Sequence, residues 1–210
     1  MLGNKCPFLN KCVGSVEKCP FFENKRSYRN CGMFGILSAV ELYRGQYSRK
    51  DAEFMDKLVQ EFMASWREAV ASKNLRAPGK VTGMVLEKWI YTQLRDVLGD
   101  ALRRNEKVPM DFGEWRADIV YDGDKCKSVI EVKMYIDLQH SLMTKALLDY
   151  SNYKWVFLTF HKPYKGTERV LDLISKAYRG RFLYVYLVKQ PYRALEYVLG
   201  FITDTEYNQT

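Results

Sequence analysis

Residues Arg116 to Lys133 read RADIVYDGDKCKSVIEVK. Two apolar runs, one interrupted by Asp118 and the other by Glu131, flank the dipeptide Asp122-Gly123. Asp-Gly between such runs is a strong hairpin signal, so two antiparallel strands are predicted, over about Arg116 to Tyr121 and Lys127 to Met134. With a side-chain period of two, Asp118 shares a face with Arg116 and Val120. On the partner strand Glu131 and Lys133 project together, while Ile130, Val132 and Met134 face the other way. The turn lays the strands side by side and brings Asp118 and Glu131 together. An acid set in an apolar run (Ala117, Ile119, Val120) is disfavoured unless something binds it. Two adjacent carboxylates repel without a cation, and their hard oxygens suit Mg²⁺ or Mn²⁺. The pentapeptide IEVKM alone reads first as a half-exposed strand showing Glu and Lys to solvent. Asp118 on the facing strand is what adds chemistry.

Working outward, Thr82 to about Leu98 is predicted as a helix, with Leu86, Ile90, Leu94 and Val97 as its core stripe, Thr82 as N-cap and Gly99 as stop. Before it, Asp51 to Lys73 is an amphipathic helix with Leu58, Phe62, Trp66 and Ala69 on one stripe, widened by Met55, Val59 and Met63. Residues 75–79 break it. Between Asp100 and Trp115 one short strand is expected, interrupted by Pro109. After the hairpin, Asp137 can cap a helix from Leu138 to about Tyr150. Lys154 to Phe160 reads as a strand, Glu168 to Tyr178 as a helix, Arg181 to Lys189 as a buried strand, and Tyr192 to Ile202 as a last helix. From residue 82 the order is α-β-β-β-α-β-α-β-α, which implies an α/β sandwich around a mixed sheet.

These residues resemble the PD-(D/E)XK nuclease superfamily, whose restriction-endonuclease-like core is αβββαβ. Its central Asp matches Asp118, its E-x-K matches Glu131-Val132-Lys133, and its helix glutamate falls on Glu87 in GMVLEKW. The resemblance covers about residues 80–160, leaving an extra C-terminal αβα. Archaeal Holliday-junction-resolving nucleases are nearest: they share a Gly-x-x-x-Glu helix (Gly83 to Glu87), a hairpin ending in E-V-K and a glutamine-bearing helix, matched by Gln139. The proline of the family's name is absent, because Ala117 precedes Asp118. The resemblance implies Mg²⁺-dependent hydrolysis of DNA phosphodiesters leaving a 5′-phosphate, on branched or duplex DNA in replication, repair or recombination, by a homodimer. Asp118, Glu131 and the Val132 carbonyl would hold the metal, with Glu87 binding it through water or serving a second ion. Lys133 would orient the attacking water and offset phosphoryl charge, its pKa lowered by burial or raised by the carboxylates. Similar exonucleases of the RecB and CRISPR-associated types usually carry Q-x-x-x-Y after the lysine, whereas Gln139 is followed by Met143. A DNA-binding protein with an unused site of this fold is the non-enzymatic alternative.

Four of the five cysteines, Cys6, Cys12, Cys19 and Cys31, fall in the first 31 residues, with an echo of the turn Lys-Cys-Pro-Phe at Lys5 and Lys18. This segment is too short and loop-like to hold a core without a staple. One structural Zn²⁺ on four cysteines comes first. Two disulfides, Cys6–Cys12 and Cys19–Cys31 among the pairings, remain open, as does an iron–sulfur cluster of the kind some related nucleases carry. Cys126, alone beside the hairpin turn, reads as packing. The chain therefore divides into a Cys-rich basic module (residues 1–50), a connecting helix (51–78) and a nuclease-like domain (79–210).

The 210 residues are 47% hydrophobic with a formal charge of +8, enough apolar material for a core and an excess that favours nucleic acid. Nine Lys or Arg against three acids lie in residues 1–50, a plausible grip on the DNA backbone. Lys80, beside the Glu87 helix, is a further phosphate contact, with Gln139 as another DNA-binding candidate. His140 and His161 are the only histidines and lack ligand-spaced partners, which disfavours histidine-based catalysis. Tyr184, Tyr186, Tyr192 and Tyr197 are expected to pack the C-terminal layer. The longest apolar stretch, about Met33 to Val40, falls far short of the roughly 20 residues a bilayer needs, and the start lacks a signal-peptide core. A cytoplasmic protein without a membrane partner is expected.

Overall fold

The computed structural model describes residues 6–13, 19, 31–72, 78–124 and 126–204. The chain forms two compact units, Met1–Leu86 and Glu87–Thr210, and the division falls inside a helix.

The first unit is helical among its described residues. α1 (Leu9–Cys12) is a single turn, α2 spans Gly32–Tyr43 and α3 spans Arg49–Ala71. α3 begins as its sequence dictates. Ser48 Oγ accepts from the Asp51 N–H at 3.1 Å and donates to the Asp51 carboxylate at 2.6 Å, so two polar groups at the helix start satisfy one another. Leu58, Phe62 and Trp66 are buried on its apolar stripe together with Met55 and Val59, and Phe54 extends it. Arg67 donates to the carbonyls of Cys12 and Lys11, at 2.8 Å each, and so ties α1 to α3. α2 is not among the predicted helices, although its buried residues Met33, Ile36, Leu37 and Val40 have helical spacing.

α4 runs from Pro78 to Leu98 and belongs to both units. Thr82 is therefore no N-cap: the helix starts one turn earlier at Pro78, whose fixed φ suits the first helical position. Thr82 is buried inside α4, and its side chain lies so close to Gly32 that a Cβ there would stand 3.3 Å from Thr82 Cγ2. Leu86, Ile90 and Leu94 are fully buried, but Val97 is 67% exposed because the stripe runs one turn past what covers it.

The second unit is α/β, built on a mixed five-stranded sheet in the order β1-β4-β5-β6-β7. Its strands are β1 (Leu102–Arg104), β4 (Ile119–Asp122), β5 (Lys127–Lys133), β6 (Lys154–Thr159) and β7 (Phe182–Tyr186). β1, β4 and β5 pair antiparallel, while β5, β6 and β7 run parallel. Between β1 and β4 the chain makes a separate ribbon, β2 (Lys107–Met110) with β3 (Gly113–Arg116). Pro109 sits inside this ribbon opposite Glu114, where a strand open on one edge needs no N–H from it. The predicted hairpin exists, but its first strand begins at Ile119. Arg116 ends β3, and Ala117 turns away to donate to Glu106 at 2.9 Å. Asp118 is thus the residue that enters β4.

α5 (Leu138–Asp149), α6 (Lys165–Ala177) and the β2–β3 ribbon cover one face of the sheet. Val120, Val129, Trp155 and Phe157 from the strands meet Leu147, Leu171 and Val108 there. Asp137 caps α5 through the His140 N–H, at 2.9 Å. α7 (Pro191–Thr203) closes the unit and accepts hydrogen bonds from Lys154 and Cys126 at Phe201 and Ile202. β7 is an edge rather than a buried strand: only Phe182 is buried. Tyr184, Tyr186 and Tyr197, expected as packing, are half-buried and line a cavity of about 310 Å³.

Candidate active site

Asp118, Glu131 and Lys133 meet at the point where β4 begins and β5 ends. The last ladder pair, Ile119 with Ile130, sets Asp118 and Glu131 opposite each other one step further on. Lys133 Nζ lies 2.7 Å from Asp118 Oδ2 and 2.7 Å from Glu131 Oε2, bridging the two acids. Asp118 Oδ2 also accepts from the Val132 N–H at 2.9 Å, filling the ladder position that β4 leaves open. In a strand the N–H and C=O of one residue project to the same side, so the Val132 carbonyl is directed toward Asp118 as well.

Glu131 is only 2% exposed, and its second oxygen accepts from Trp115 Nε1 at 2.9 Å. Burial raises its pKa, with the charge of Asp118 adding to the rise, against the opposing pull of Lys133 and the indole. For Lys133, burial pulls the ammonium down, yet the carboxylates of Glu131 and Asp118 more than reverse it. Its pKa lies above the ordinary lysine value, so it is a held cation rather than a neutral base. Trp115 is a site residue that sequence reasoning missed. Its only signal was a tryptophan close before Asp118, and its role follows from the ribbon folding back over the sheet.

Glu87 is not brought to this group. Its carboxylate takes two bonds from Arg104, at 2.7 and 3.2 Å. Arg104 stands opposite Ile119, and Ile119 opposite Ile130, so the three project from one face of the sheet, whereas Glu131, the next residue of β5, projects from the other. Gln139 is exposed in the first turn of α5. Lys80 stands in the first turn of α4, in the other unit, and its side chain lies outside the described residues.

Among the described residues no three His, Cys, Asp or Glu side chains are grouped so as to hold a metal ion as they stand. Two carboxylates are nonetheless a usual protein share of a Mg²⁺ site, which keeps several waters and takes further oxygens from phosphate. The pair therefore fits such an ion by its chemistry: hard donors, convergent on Lys133, whose single positive charge offsets only one of the two carboxylates.

Among the described residues neither histidine is hydrogen-bonded to Asp118 or Glu131. His140 pairs with Asp137 at 2.7 Å. His161 stacks on Tyr135, with ring centroids 4.5 Å apart, and its Nε2 is buried without a hydrogen-bond partner among the described residues. Burial lowers its pKa to about 4.

In the first unit Cys6, Cys12, Cys19 and Cys31 are all free thiols around one small cavity. Burial raises the pKa of Cys6 and Cys31 and pushes that of Cys12 up to about 12, with the neighbouring cysteines adding to each rise. Cys126 donates to the Ile202 carbonyl at 2.8 Å. No helix among the described residues is long and apolar enough to cross a membrane. Compared with protein-family models, with curated proteins and with solved structures, the chain matches none.

Proposed function

We propose that this chain is a metal-dependent deoxyribonuclease of the PD-(D/E)XK type, hydrolysing DNA phosphodiesters. The reading rests on one observation: Lys133 bridges Asp118 and Glu131 at 2.7 Å each, at the open end of the β4–β5 hairpin. A surface Glu-x-Lys strand would show its charges to water instead, yet here Glu131 is buried and held from both sides.

Asp118 and Glu131, with the Val132 carbonyl, would hold Mg²⁺ or Mn²⁺, which when bound polarises a phosphate and lowers the pKa of a water. The Lys133 ammonium lies between the two acids, where it can orient the attacking water and offset charge growing on the phosphoryl oxygens. Trp115 fixes the rotamer of Glu131 and leaves Oε2 directed at the site. The restriction-endonuclease-like core belongs to the same proposal: α4, β1, the hairpin β4–β5, α5 and β6 follow one another in the order αβββαβ, with the β2–β3 ribbon as an insertion. Branched DNA is the expected substrate class, in keeping with the resemblance to junction-resolving nucleases.

The test incubates linear duplex, single-stranded and four-way-junction DNA with the chain and Mg²⁺ or Mn²⁺. Junction-restricted cutting selects resolution, and progressive shortening of linear ends selects an exonuclease. Asp118→Asn and Glu131→Gln are expected to lose at least about 10²-fold in cleavage, the scale of removing a group that stabilises transition-state charge, while still binding DNA. Wild-type rates in either variant refute the assignment. DNA binding without cleavage of any substrate selects the binding-only alternative.

A further inference from the structure

The four cysteines of the first unit reach one cavity from separate parts of the chain. Cys6 precedes α1, Cys12 ends it, Cys19 lies in the following segment, and Cys31 is the N-cap residue of α2. The cavity is about 20 Å³, room for roughly one water-sized body. Its remaining walls among the described residues are apolar, with Phe8, Leu9, Met33, Leu37 and Trp66 among them, and no described carboxylate, hydroxyl or imidazole lines it. Among the described residues a hard cation would find no side-chain oxygen there, whereas a soft one would find four sulfurs.

The backbone is arranged around these sulfurs as well. The Phe8 N–H is directed at Cys6, and those of Phe34 and Met33 at Cys31, the last two at the start of a twelve-residue helix. Cys12 is carried on a turn whose carbonyls Arg67 grips from α3, so its Cα position is fixed. A one-turn helix with two buried side chains has no core of its own, and a central staple supplies what packing cannot. As they stand the four cysteines line the cavity without being grouped closely enough to hold an ion; a zinc–sulfur distance of about 2.3 Å asks them to draw together.

We propose that Cys6, Cys12, Cys19 and Cys31 form a tetrathiolate site for a single thiophilic cation of the Zn²⁺ class, structural rather than catalytic. A closed set of four protein ligands leaves no coordination position for substrate or water.

Metal analysis of the full-length chain, purified without chelator, decides the matter. One zinc per chain is expected, resistant to dialysis and released by an organomercurial as the thiols react. Replacement by Co²⁺ should give the visible bands of tetrahedral thiolate cobalt. Cys12→Ser and Cys31→Ser should each bring zinc down to background, whereas Asp118→Asn should leave it unchanged, so this site and the nuclease site fail independently. If the cysteine variants are insoluble, the zinc content and cobalt spectrum of the unaltered chain still decide. Four thiols titrating without metal, two disulfides, or iron with acid-labile sulfide would each overturn the proposal.

Discussion

Trp115 and Glu131 form the most informative pair at the residue scale. The indole N–H joins Lys133 in opposing the rise that burial imposes on the Glu131 pKa. Trp115→Phe keeps the edge contact with Trp155, 6.5 Å between centroids, and deletes only the donor. On the nuclease reading the Glu131 pKa then rises further, so the acid limb of the pH–rate profile should move to higher pH. The Mg²⁺ requirement should increase about 10- to 100-fold, as when an outer partner of a metal ligand is removed. An unchanged profile and metal requirement would show that the indole merely packs. His161 gives a second test, independent of activity. Its folded pKa of about 4 lies below the ordinary histidine value of about 6.5, so between these pH values the unfolded chain binds a proton that the folded chain does not. Stability should therefore fall as pH drops from about 6.5 to 4, by up to roughly 3 kcal/mol from this group alone. His161→Phe should flatten that part of the urea-midpoint curve while keeping the stack on Tyr135. An equally steep curve in the variant would assign the acid sensitivity elsewhere.

Elements differ in how openly they announce themselves. α3 was legible because Leu58, Phe62 and Trp66 repeat at helical spacing against charged neighbours, and α5 because Asp137 is a good cap. β5 was legible from alternation and the Asp-Gly turn, which also delivered Asp118, Glu131 and Lys133 to one place. The boundary at Arg116 was not legible. Alternation states which residues share a face, not which sheet they join, and Ala117 leaves the strand through a bond to Glu106, eleven positions earlier in the chain. For the same reason the sequence could not separate Glu87 from the acids: its face depends on where Arg104 pairs. The Val97 misreading is of another kind, since periodicity cannot say where cover ends. Leu94→Ala should cost about 2–5 kcal/mol in chemical denaturation, whereas Val97→Lys should stay within roughly 0.5 kcal/mol. Comparable losses at both positions would mean that a partner surface covers the last turn of α4 in solution.

Across the whole molecule the charge and the candidate chemistry fall in different units. Met1–Leu86 holds 14 Lys and Arg against 8 Asp and Glu, an excess of six; Glu87–Thr210 holds 19 against 17, an excess of two. The unit that carries Asp118, Glu131 and Lys133 is thus nearly neutral, and most of the formal charge of +8 lies in the unit that carries the cysteines. Association with DNA is driven largely by release of counterions as Lys and Arg neutralise phosphates, so affinity should belong mainly to the first unit and cleavage to the second. Lys18, Lys25 and Arg26 lie outside the described residues but within the most basic stretch of sequence, and replacing all three by Ser tests this division. The log–log salt dependence of binding should become shallower by about 0.9 for each phosphate no longer neutralised. On the nuclease reading KM for DNA should rise while kcat at saturating DNA stays unchanged, the reverse of what Asp118→Asn does. A salt slope that does not move would take the basic excess out of the binding account and leave DNA to be held by the second unit alone.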